Sequence, residues 1–360
     1  MKNSYLTAGT RLSRFLKLIA RNKFSVHPKY LFRVLFLLQN GLWASIFDKV
    51  EKIRYKKIIE NYKMPQDPIF IIGHWRTGST FLLQLMNINS ELITPSLFHI
   101  TAPDSLLISR KYYKPIMTRM VEPTRPMDDV KLGFDEPQED EYALLKITNC
   151  SPLEKLIIPA SKQYFLADYN DFDPEIQQAN QWKKALHKFC KKLAFVSNKR
   201  VILKNPFHSM RIKTLLEMYP NAKFIHIYRH PYKVIPSTIR MWDIVGSQNC
   251  LNNKWQKPTI NESITLFDKM LNYINNNLKN LPEEQYTEVR FEEFEQNPID
   301  TLKAIYNKFD IPFSDTDKQK TELFLSQLKD YKKNSYNLLD EEKQAIDKQL
   351  AYYMKHYNYI

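Results

Sequence analysis

The stretch from Pro68 to Leu82 limits the possible folds more than any other part of this chain. Ile69-Phe70-Ile71-Ile72, following Pro65 and Pro68, is a short unbroken apolar run of the kind a strand buried on both faces shows. It leads into Gly73-His74-Trp75-Arg76-Thr77-Gly78-Ser79-Thr80, after which Phe81, Leu82, Leu85 and Met86 give a helix its apolar face. The 360 residues include only 6 glycines, and two of them bracket this turn. A glycine-punctuated turn between a strand and a helix aims backbone N–H groups and the positive helix end at one point, which suits a phosphate or sulfate. Ser79 and Thr80 add hydroxyls, and Arg76 supplies a cation inside the loop. The Gly-x-x-x-x-Gly spacing matches a nucleotide-triphosphate loop, but Ser79 stands where such loops need a lysine.

Further along, Val201-Ile202-Leu203 and Lys223 to Tyr228 read as buried strands. Helical segments are expected over Gln177 to Leu193, Ser209 to Tyr219 and from Tyr232 onward, with one more strand at Tyr286 to Arg290. Alternating strands and helices predict an α/β fold, a doubly wound parallel sheet containing the phosphate loop and flanked by helices. Ligands in such sheets bind beyond the carboxyl ends of the strands. Arg76, Lys204 and Arg229 each fall at such an end, and three cations in one crevice would hold a polyanion. Residues 95 to 140, broken by Pro95, Pro103, Pro115, Pro123, Pro126 and Pro137, read as loops and short helices that carry selectivity.

The net charge of +14 favours an anionic partner without naming it. Cys150, Cys190 and Cys250 are odd in number and far apart, so no disulfide framework or zinc site is indicated and a cytoplasmic setting is expected. Residues 1–63 read as an N-terminal helical extension, 64–315 as the α/β core and 316–360 as a C-terminal helical segment. The longest uncharged apolar stretch, Val34 to Phe47, has 14 residues, short of the roughly 20 that span a bilayer. Arg33 to Phe47 is expected to be a buried helix. The rival reading lays it on a membrane surface beside the basic residues Arg11, Arg14, Lys17, Arg21 and Lys23.

The segment from Pro68 to Leu82 resembles the loop that binds the 5′-phosphosulfate end of 3′-phosphoadenosine 5′-phosphosulfate (PAPS) in sulfotransferases. Arg229 and Ser237 resemble the pair that grips the 3′-phosphate in that family, and the likeness extends, with gaps, from about Pro65 to Pro298. It takes in Val201 to Pro206 and Val289 to Pro298. The resemblance implies that PAPS is the donor, with Gly73, Arg76, Thr77, Gly78, Ser79 and Thr80 at its 5′ end. It likewise implies Arg229 and Ser237 at the 3′-phosphate, Phe81 against adenine and Lys204 on the transferring sulfuryl group. Asn205-Pro206 comes after Lys204, closer to the Lys-Asp-Pro of tyrosylprotein sulfotransferases than to the Lys-Thr-His of the cytosolic branch, so the base is not inherited. The late Arg-Lys-Gly loop is missing as well, since no glycine occurs after Gly246; Lys332 and Lys333 are candidate substitutes.

Sulfuryl transfer needs an in-line acceptor and fixed donors for the developing charge, roles that suit Arg76, Lys204 and Ser79. No cluster with metal-ligand spacing occurs, and no metal is expected. For the general base, His99 is favoured, with His208, Glu136, Glu139 and Glu141 as alternatives. His74 and His230 are expected to add donors, and Glu292 to hold a loop. The expected activity is sulfuryl transfer from PAPS to a hydroxyl or amine of a small-molecule or lipid acceptor, with possible peripheral membrane contact and no nucleic-acid partner. Leu97, Phe98, Leu106, Leu107, Tyr112 and Tyr113 point toward a lipid, sterol or phenol. The competing readings are a P-loop nucleotide kinase or NTPase, and a noncatalytic basic protein of membrane surfaces.

Overall fold

The computed structural model describes residues 6–120, 123–125, 131–148, 150–160, 164–166, 176–328 and 337–360. Pro126, Lys332 and Lys333 lie outside the described residues. The chain forms two compact units, one of residues 65–94, 199–240 and 258–360, the other of residues 1–64, 95–198 and 241–257.

The first unit holds the sheet. Strands β1 (Ile69–Ile72), β2 (Leu92–Ile93), β3 (Arg200–Lys204), β4 (Lys223–Tyr228) and β5 (Tyr286–Arg290) lie in the order β2-β3-β1-β4-β5, and all pairs are parallel. Every residue of β1 is buried because β1 is central and covered on both faces. Ile69 and Ile71 join Ile202, Ile225, Ile227 and Val289 in a core that also takes in Leu82, Phe294 and Tyr306. Phe70 stacks on Phe224 with ring centroids 5.6 Å apart and also meets Tyr219. Ile71 is in register with Lys204 and Ile72 with His226, so the carboxyl ends of the three central strands come out together. After β1 the chain leaves toward β2 and β3, and after β4 it leaves toward β5. The sheet therefore reverses direction between β1 and β4, the position where doubly wound sheets open a crevice.

The strands expected from sequence are present; the short edge strand β2 was too brief to signal itself. The helix expected from Ser209 to Tyr219 is two pieces, a 3₁₀ turn at Pro206–Met210 and an α-helix at Ile212–Met218.

The second unit contains helices α1 (Leu12–Arg21) and α2 (Leu31–Asn61). Expecting Arg33 to Phe47 to be buried was wrong. Only one face of α2 is buried, and that face carries Gly41, Ala44, Asp48 and Glu51. Gly41 is needed there because the backbone at Thr10 and Leu12 approaches closely enough to crowd any side chain. Asp48 pairs with Arg11 at 2.8 Å and Lys52 at 2.6 Å, and Glu51 with Lys192. The 14-residue uncharged stretch is part of one continuous helix, and within Pro28–Asn61 that helix is long and apolar enough to cross a membrane by length and composition alone.

Candidate active site

The turn after β1 is shaped by residues that other side chains could not replace. Gly73 has φ +139° and Gly78 φ +94°; an added Cβ would run into the Ile227 carbonyl at the first and into the Phe291 ring at the second. Arg76 itself has φ +69°, a left-handed conformation costly for a non-glycine residue. The turn is braced from within and from the segment after β3. Thr77 Oγ1 donates to the His74 carbonyl (2.8 Å), and Ser209 Oγ accepts from Gly73 N (2.8 Å) while donating to Gly73 O (3.0 Å). Helix α3 (Ser79–Met86) starts at Gly78, which has no side chain to cap it. Its first-turn N–H groups are thus oriented for an anion, as the positive end of a helix requires.

The cations surround this turn. Lys204, last residue of β3 and buried, donates from Nζ to Thr80 Oγ1 at 3.2 Å. Its backbone is fixed by the next two residues: Asn205 caps the 3₁₀ turn by accepting from Phe207 N (3.0 Å), and Pro206 opens it. Arg229 lies just beyond β4. Its guanidinium stacks on Phe291 at 4.2 Å from the ring centroid and donates to the Arg76 carbonyl at 3.5 Å. Arg76 Nε donates to Ser237 Oγ at 2.8 Å, linking the turn to helix Pro231–Asn249. Phe291 thus fills the space between Gly78 and Arg229. Burial lowers the pKa of Arg229, opposed by Glu295 and Glu292. Phe81 rests on Phe294, with centroids 5.1 Å apart.

The C-terminal tyrosines hold the β4 end in place. Tyr353 OH donates to the Arg229 carbonyl (3.1 Å), and Tyr359 OH to Glu292 Oε2 (3.2 Å). Glu292 Oε1 accepts from His230 N at 3.0 Å, so Glu292 holds a loop as expected. A recess of about 450 Å³ begins at His230 and is lined by Tyr232, Lys233, Asn337, Leu338 and Lys343. Lys233, Lys343, Ser209 and Phe291 are contributors that no spacing rule singles out.

The histidines carry structural roles. His74 Nδ1 meets the Trp75 carbonyl at 3.0 Å, so the proton is on Nδ1, and burial pulls its pKa down to about 4. His99 belongs to the helical unit, in α4 (Leu97–Thr101). Its Nδ1 accepts from Ser96 N at 3.1 Å as half of a capping box. Burial, and then Arg110, lower its pKa to about 4. The neutral ring therefore keeps its proton on Nε2, leaving no free lone pair. Among the alternatives, His208 is buried edge-on to Phe70, Glu136 pairs with Lys131 at 2.9 Å, and Glu141 accepts from Ser151 at 2.8 Å. Among the described residues there is no cluster of His, Cys, Asp or Glu able to hold a metal.

The family model for the sulfotransferase family matches residues 68–315. The chain belongs to the sulfotransferase family. It is a transferase, in a family that generally draws its sulfuryl group from PAPS. The omega-hydroxy-beta-dihydromenaquinone-9 sulfotransferase Stf3 of Mycobacterium bovis is 30% identical over 98% of this chain and 91% of its own length. The Mycobacterium tuberculosis protein of that name matches equally. The crystal structure of sulfotransferase STF9 from Mycobacterium avium superposes with a TM-score of 0.70 over 92% of this chain and 86% of its own, at 17% identity. Sulfotransferase STF1 from M. tuberculosis H37Rv gives 0.65 over 93% and 91%, at 15% identity. The fold of this sulfotransferase is thus the parallel α/β fold of those enzymes.

Proposed function

We propose that this sulfotransferase moves the sulfuryl group of PAPS onto the hydroxyl of a lipid acceptor, as a cytoplasmic enzyme working peripherally at the membrane surface. Residues 64–315 form its catalytic core, with helical additions on either side. One observation carries the donor reading: the Gly73 turn and the Arg229 end of β4 flank the sheet's reversal point and are joined through Arg76. The α3 N–H groups, Thr77, Ser79 and Thr80 hold the 5′-phosphosulfate, and Arg229 and Ser237 the 3′-phosphate. Phe81 lies toward the adenine. Lys233 and Lys343 add positive charge at the recess beside His230.

In the reaction the bridging S–O bond of PAPS breaks as the acceptor oxygen bonds to sulfur. Adenosine 3′,5′-bisphosphate leaves with the bond's electron pair, and the acceptor proton passes to a base or water. Lys204 and Arg76 stabilise charge on the bridging and equatorial oxygens. His99, whose Nδ1 is committed to Ser96, suits the role of base poorly. The lipid hydroxyl acceptor is supported by the Stf3 relatives, whose name specifies an omega-hydroxylated dihydromenaquinone. Calorimetry with adenosine 3′,5′-bisphosphate in EDTA tests the donor. Binding is expected without magnesium, weakened about tenfold or more by Arg229→Ala. Arg76→Ala is expected to cut turnover about 100-fold or more. A magnesium requirement, or full activity in both variants, would contradict the assignment.

A further inference from the structure

Helix α2 buries Leu37, Gly41, Ala44 and Ile59 yet leaves many of its large apolar side chains outside. Its packed face carries the acids Asp48 and Glu51, both ion-paired. Its outward face carries Leu31, Phe32, Leu35, Leu42, Trp43 and Ile46 at spacings of three and four, with Phe32 88% and Trp43 55% exposed. Leaving such a stripe in water is unfavourable, and contiguous exposed apolar surface marks an interaction site. Helix α5 (Arg110–Met120) lies alongside, with Tyr112 5.3 Å from Phe47, and leaves Tyr112 and Ile116 exposed as well.

The surrounding charge selects the occupant. Lys111, Lys114 and Arg119 on α5 are exposed, and so are Lys49, Arg54 and Lys56 toward the end of α2; the sole exposed acid on α2 is Glu60. A second copy of the chain related by a two-fold axis would set like charges against like around this stripe. Anionic headgroups answer the basic rim, while the apolar stripe and Trp43 enter the upper acyl layer. The ion pairs on the inner face fix α2 to its unit, so it lies along the bilayer and does not cross it.

We propose that the outward face of α2, with α5 beside it, is the surface on which this enzyme docks onto a bilayer of anionic lipid. Its purpose rests on the lipid-acceptor reading above, but its measurement does not. Flotation of the full chain with vesicles of phosphatidylcholine containing about 30% phosphatidylglycerol should recover bound protein, with at least about tenfold less on pure phosphatidylcholine. F32D/L35D should reduce binding to the anionic vesicles by about tenfold or more while leaving adenosine 3′,5′-bisphosphate affinity unchanged. Brominated lipid should quench wild-type tryptophan fluorescence and quench Trp43→Phe much less. Arg76→Ala should float like wild type, so a failed nucleotide assay and a failed vesicle assay point to different errors. Equal flotation of F32D/L35D would overturn the proposal. So would a wild-type dimer that ignores vesicles and falls apart in that variant.

Discussion

Arg76 occupies a strained left-handed position, held by Ser237 through its side chain and contacted by Arg229 at its carbonyl. Single residues therefore couple the Gly73 turn to the end of β4, the two halves of the proposed donor site. Phe291 is a positioning residue in this scheme: its ring packs against Gly78 and carries the Arg229 guanidinium. Phe291→Leu keeps an apolar side chain there and removes the π-face, which is worth about 0.5–2 kcal/mol beneath a partly desolvated guanidinium. Adenosine 3′,5′-bisphosphate should bind roughly 3- to 10-fold more weakly, and stability should fall by roughly 1–2 kcal/mol because Phe291 also belongs to the buried core; calorimetry on the folded variant and a melting curve separate the two effects. For His99→Ala, the capping role predicts a loss of about 1 kcal/mol in stability. Turnover per folded molecule should persist with its pH profile unshifted. Turnover lost at normal nucleotide affinity would make His99 the base after all.

At the scale of elements, the loop after β1 and helix α4 each bury a neutral histidine. With a folded pKa of about 4 against 6.5 unfolded, His74 and His99 bind more protons when unfolded. Their contribution is thus full above pH 6.5 and shrinks as pH falls toward 4, by roughly 3 kcal/mol each. Glu154, raised to about 7 by burial, acts in the opposite direction between pH 4.5 and 7, so net stability alone would mix the effects. Nitrogen-15 NMR resolves them. Two imidazoles should stay neutral down to about pH 5, His74 protonated at Nδ1 and His99 at Nε2; titration near 6.5 would refute the burial argument. Elements were legible from sequence where a pattern is local. The four apolar residues of β1 and the glycines bracketing its turn announce themselves, whereas β2 is two residues long and edge-bound. The 3₁₀ turn after Lys204 depends on the Asn205 cap and Pro206, which read as punctuation and not as a helix. The α2 stripe misled because apolar periodicity gives a face without saying which way the face points; ion pairs at Asp48 and Glu51, distant in sequence from their partners, decide that.

For the molecule as a whole, the residues proposed for the donor site could be picked out because phosphate chemistry demands glycines, hydroxyls and cations at strand ends, and those sit in one short segment or at fixed offsets. The bracing by Ser209, Phe291 and the C-terminal tyrosines is long-range and has no such signature. The proposed function rests on the Gly73 turn and the Arg229/Ser237 pair gripping opposite ends of one nucleotide. A crystal grown with adenosine 3′,5′-bisphosphate tests this directly. It should contain a single bound molecule with its 5′-phosphate at the N–H groups of Ser79 and Thr80 and its 3′-phosphate on Arg229 and Ser237. A nucleotide bound elsewhere, or one that touches only one of the two places, would contradict it.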